Sequence, residues 1–178
     1  MQPVASLALE RWNRRFMACN RWFLIVTLGL MCLLIFANVA LRYLTSQSID
    51  WAEEVARYLM IWLTFMGIGP VLRYGGHIAV DNLQDALPEG LARAVRGLIA
   101  LALIGFFTFF MVFGVDYMER TQHQLTATTQ IPFSWVYAAL PLGCLNALLH
   151  WLYVLRKYVL HRAFDHHADF DMQTSTAS

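Results

Sequence analysis

The sequence predicts an all-α integral membrane protein, four transmembrane helices plus one or two interfacial amphipathic helices. Composition is the first reason. Of 178 residues, 58% are hydrophobic and 14% charged, with a mean hydropathy of +0.49, where a soluble domain carries about 25% charged residues. The second reason is four apolar runs of a length that crosses a bilayer. The third is where the positive charge lies. Arg11, Arg14, Arg15 and Arg21 precede the first run, Arg73, Arg93 and Arg96 lie between the second and third, and Arg156, Lys157 and Arg162 follow the fourth. An even number of spans puts all three groups on one side, leaving Arg42, Arg57 and Arg120 on the other. The positive-inside rule then places both termini in the cytoplasm.

Each element has its own justification. Residues 1–21 mix four Arg with Leu7, Leu9, Trp12 and Phe16, which predicts a cytoplasmic basic amphipathic lead-in at the membrane surface. The next apolar run, expected as a first span over 22–42, is too long for the apolar part of a signal peptide. Residues 43–49 are a short polar connection, so the first two spans are antiparallel neighbours. Asp50 stands where it can cap the second span, with Glu53 three residues on as in a capping box. That span is expected over 51–72, with Val55, Tyr58, Trp62 and Phe65 on one face. Gly67, Gly69 and Pro70 loosen its end, where neighbouring helices re-satisfy the backbone.

In the second connection Val80, Leu83 and Leu87 oppose Asp81 and Asp85, which predicts a short interfacial helix closed by Pro88. The third span, rich in Phe, is expected over 97–117 and the fourth over 133–155, with Pro132 at a permitted helix start and a kink at Pro141. The four-helix domain runs over 22–162, and a small, polar cytoplasmic tail over 163–178 is expected to be disordered.

Several function classes are excluded or weakened. A net charge of +1 argues against nucleic acid as a partner. Cys19, Cys32 and Cys144 form no CxxC pair and read as core or lipid-facing residues. There is no phosphate-binding GxxxxGK[ST] and no HExxH. No pair of broken helices recurs in two halves, so the marks of a substrate-translocating subunit are missing. No catalytic, cofactor-binding or metal residue is expected. An electron-transfer subunit with a b-type haem is the competing reading. It needs two facing imidazoles, and among the histidines His150 alone lies in an apolar run. A stand-alone membrane sensor is a third reading. Asn38, Asn146 and His150 are the polar groups within the spans, and hydrogen bonds to a neighbouring helix are their expected use.

The charged stretch at the outer boundary is the candidate site. Arg42 ends the first run, and Glu53, Glu54 and Arg57 share a flank of the second at helical spacing. One reading is a structural knot in which Arg42 pairs with Glu53 or Glu54 and Arg57 with the other carboxylate. The other is a docking or coupling surface.

The order of these residues resembles a known family. Arg42-Tyr43, Ser48-Ile49-x-Trp51-x-Glu53-Glu54-x-x-Arg57, Trp62-x-x-Phe65-x-Gly67 and Arg73-x-x-x-His77-Ile78-x-Val80-Asp81 resemble the DctQ-type small membrane subunit of TRAP (tripartite ATP-independent periplasmic) transporters. The resemblance implies a small permease subunit of a secondary transporter in a bacterial inner membrane. Its implied partners are a large multi-spanning permease subunit, a periplasmic substrate-binding protein and membrane lipid. Sodium coupling belongs to the large subunit, and the implied substrates are organic acids, often dicarboxylates or sialic acid. The small subunit would brace the large one and help dock the binding protein. With the resemblance, the candidate interface or docking residues are Arg42, Trp51, Glu53, Glu54, Arg57, Trp62, Arg73 and His77.

Overall fold

The computed structural model describes residues 4–74 and 88–161. Its helices are α1 (Val4–Thr45), α2 (Ala52–Arg73), α3 (Glu89–Arg120), α4 (Phe133–Tyr137) and α5 (Ala139–His161). Four segments are long and apolar enough to cross a membrane, Arg11–Thr45, Ala52–Arg73, Gly90–Arg120 and Phe133–Leu155. Among the described residues no β-strand forms; the one isolated bridge pairs Leu125 with Pro132 in the loop before α4. The interfacial helix expected in the second connection, His77 with it, and the tail over 163–178 lie outside the described residues.

Helix α1 covers both the expected lead-in and the expected first span. It runs unbroken through both, because neither Pro nor Gly interrupts the chain between Val4 and Gly29. Its inward face is polar. Asn13, Asn20 and Thr27, seven residues apart, are buried, and so is Asn38. Its outer face carries Ile25, Leu33 and Phe36, all exposed, as suits a surface that meets lipid tails. Ser46 ends the helix in the left-handed region, φ 54°. The Asn38 side-chain oxygen, Oδ1, then accepts the Ile49 N–H at 2.6 Å, tying the connection back to α1.

The start of α2 also differs from expectation. Trp51, not Asp50, is the N-cap, with no side-chain capping bond; the turn closes through Ala52 N–H to Ile49 C=O and Val55 N–H to Trp51 C=O. Asp50 is exposed and Glu53 points outward, so no capping box forms. The fourth span breaks into α4 and α5 at Ala138, earlier than the kink expected at Pro141. Pro141 has no N–H for the Tyr137 carbonyl four residues back, so the ladder fails one turn before the proline.

The core lies between α2, α3 and α5, built from Leu72, Ala100, Phe107, Cys144, Ala147, Trp151, Val154 and Tyr158. Two glycines let α2 and α5 approach closely. A Cβ on Gly143 would sit 2.5 Å from Phe65 Cβ and 2.8 Å from the Phe65 carbonyl oxygen, and one on Gly69 would sit 2.4 Å from His150 Cδ2. Small residues at a helix contact do this throughout membrane proteins. Cys144 is buried, and Cys19 and Cys32 are exposed, as core and lipid-facing thiols are.

Candidate functional site

Two polar centres stand out against the apolar helices. At one end of the bundle, Glu54 rises from the first turn of α2 and is 4% exposed. Its carboxylate accepts from Thr128 N–H at 2.8 Å, Thr129 N–H at 3.2 Å and the Thr129 hydroxyl at 2.5 Å. The loop it grips, 121–132, is folded on itself. Thr126 is wholly buried, with its hydroxyl against that of Thr129 at 2.7 Å, and it accepts the Ile131 N–H at 3.0 Å. Gln130 sits at φ 54° and donates its amide to the carbonyls of Thr126 and Ala127, each at 2.9 Å.

This geometry corrects the expected ion-pair knot. Among the described residues neither Arg42 nor Arg57 forms an ion pair with Glu54 or Glu53; Arg42, Glu53 and Arg57 are exposed. The reason is that consecutive backbone N–H groups make a fixed concave donor set for an anion, whereas a long Arg side chain at a membrane boundary reaches water freely. Of the other candidates, Trp51 is exposed. Trp62 is half-buried against Phe23 of α1, ring centroids 6.4 Å apart. Arg73 belongs to the other centre.

That second centre lies towards the opposite end of the bundle. Pro70 inside α2 has no N–H, so the Met66 carbonyl four residues earlier lacks its helical donor. Asn146 of α5 donates to it at 3.0 Å and Asn20 of α1 at 3.4 Å. Asn20 also lies 3.2 Å from His150 Nε2, and the imidazole packs on Phe16 at 4.7 Å between centroids. Beyond it, buried Arg73 donates to Asn13 Oδ1 at 2.5 Å and lies over the Tyr153 ring at 4.4 Å. The haem reading does not fit: His150 is 1% exposed, with Asn20 against Nε2 and Phe16 packed on the ring.

Of the polar groups expected within the spans, Asn146 and His150 do bond neighbouring helices, and Asn38 bonds the connection. Sequence reasoning missed Asn13, Asn20, Thr27, Thr126 and Thr129. The first three carry a legible signal, polar residues repeating every seven along α1.

The family model described as "Tripartite ATP-independent periplasmic transporters, DctQ component" matches residues 31–160. The ectoine TRAP transporter small permease protein TeaB of Halomonas elongata is 32% identical over 71% of this chain and 66% of its own length. The sialic acid TRAP transporter permease protein SiaT of Haemophilus influenzae is 24% identical over 61% of this chain and 18% of its own. The C4-dicarboxylate TRAP transporter small permease protein DctQ of Vibrio cholerae is 34% identical over 49% of this chain and 37% of its own. In each case the matched segment spans less than two thirds of the relative.

Proposed function

Since this chain belongs to the DctQ family of multi-pass TRAP small permease subunits, we propose that it braces a large permease subunit and helps a periplasmic substrate-binding protein dock during sodium-driven organic-acid uptake. The observation that supports docking is the outer loop 121–132, held in one shape by Glu54 and carrying exposed Gln124, Leu125, Thr128 and Ile131. A fixed, exposed loop is where binding surfaces commonly sit. Exposed Trp51, Glu53 and Arg57 extend the surface along α2, and Arg42 extends it at the end of α1. Glu54 acts from behind it. The site resides in a bacterial inner membrane with both termini in the cytoplasm, the orientation the charge distribution supports.

Bracing is supported by the apolar exterior of α1 and α3, where Phe36, Leu98 and Leu101 are among the most exposed side chains. The relatives are named for three different substrates, ectoine, sialic acid and C4-dicarboxylate. That variety supports placing substrate choice in the partners, and the chain itself has no catalytic role.

Reconstitution tests the reading. Proteoliposomes with this chain, its large permease subunit and the binding protein should take up substrate on a sodium gradient, and omitting this chain should abolish uptake. Robust uptake by this chain alone would overturn it. Orientation is checked with cysteines at Gln47 and Gln124, both exposed, in a cysteine-free background. An impermeant maleimide should label both in cells with a permeabilised outer membrane.

A further inference from the structure

We infer that Asn20 and Asn146 are positioning residues that fix helices α1 and α5 on α2, and that the acceptor they share exists because residue 70 is proline. In an uninterrupted helix the Met66 carbonyl would be taken by the N–H of residue 70. Proline offers none, and an unpaired carbonyl at membrane depth finds no water to replace it. The two amides fill the vacancy from two different helices, at 3.0 Å and 3.4 Å. Gly69 opens the approach, since a Cβ there would meet Asn146 Nδ2 at 2.9 Å as well as the imidazole.

The carbonyl also sets the roles of the groups behind it. Asn20 must turn its NH2 towards Met66, because its own oxygen would oppose another acceptor. An amide NH2 has two hydrogens; the second points to His150 Nε2 at 3.2 Å. One missing N–H on α2 thus determines which way Asn20 faces and how α1 is rotated. Asn13 on Arg73 and Asn38 on Ile49 N–H hold the same face of α1 at two further heights. The apolar residues Ile25, Leu33 and Phe36 are then directed outward. This inference is independent of the transport reading.

A labelling experiment tests it on the full chain in lipid nanodiscs. Met66–Gly67 is the only Met–Gly pair in the sequence, so carbonyl-13C methionine with 15N glycine gives one cross-peak for this peptide. Asn146→Ala should move the Met66 carbonyl resonance upfield, and Asn20→Ala should move it less. In a Pro70→Ala background the restored backbone N–H takes the carbonyl, and neither asparagine change should shift it appreciably. Equal shifts in both backgrounds, or no shift in either, would overturn the inference. Should the single variants fail to fold, Pro70→Ala must restore them, and failure to restore them overturns it equally.

Discussion

The two polar centres solve opposite problems. At one end a charged side chain, Glu54, is buried and the backbone comes to it, through the N–H groups of Thr128 and Thr129. At the other centre a backbone group, the Met66 carbonyl, is left bare and side chains come to it, from Asn20 and Asn146. The first ties a loop to a helix near water. The second ties three helices together where water is scarce. A bilayer tolerates a polar group only when the partner is built in, and a chain can supply that partner from either its backbone or its side chains.

Breaking each centre should give different signatures. The largest effect is expected at Glu54. Glu54→Ala removes the acceptor of two backbone N–H groups and a hydroxyl at once. Hydrogen exchange at Thr128 and Thr129 should rise sharply, thermal stability should fall, and the binding-protein concentration needed for half-maximal uptake should increase. Unchanged exchange at those amides would show that the loop holds its shape without Glu54. Next, Gly69→Ala drives a methyl into His150 and Asn146 and should cost about 1–3 kcal/mol, as overpacking does, read as a lower melting temperature with the outer loop unaffected. Thr129→Val keeps the backbone bonds and deletes one hydroxyl, and should cost about 1–2 kcal/mol with a partial rise in loop exchange. Smallest is Glu53→Gln or Arg57→Gln. Both side chains are exposed, so stability should stay within about 0.5 kcal/mol, and any change in uptake at low binding-protein concentration then reports docking alone.

Much of this was legible in the sequence, and the exceptions have physical causes. Apolar runs near 20 residues fixed four spans because only a helix satisfies its backbone across lipid. The resemblance carried by Trp51, Glu53, Glu54, Arg57 and Arg73 identified the family before any contact was known. The partner of Glu54 was not legible, because charge invites a charged partner and the donors here are backbone N–H groups that every residue but proline has. The loop that supplies them lies some seventy residues away in sequence. Asn20 was hidden for a related reason: its acceptor is defined by an absence, the N–H that Pro70 lacks. The break at Ala138 was displaced from Pro141 because a proline damages the helix at the carbonyl it fails to reach, one turn earlier.

The unbroken α1 has a mechanical consequence. At 1.5 Å per residue its 42 residues measure ~63 Å, about twice the ~30 Å hydrocarbon core. No joint interrupts it, and Asn13, Asn20 and Asn38 hold one face of it at three heights. Such a rod moves as one piece, so a tilt of the arm beginning at Val4 is carried along its length to the short connection that leads into Trp51 and Glu54.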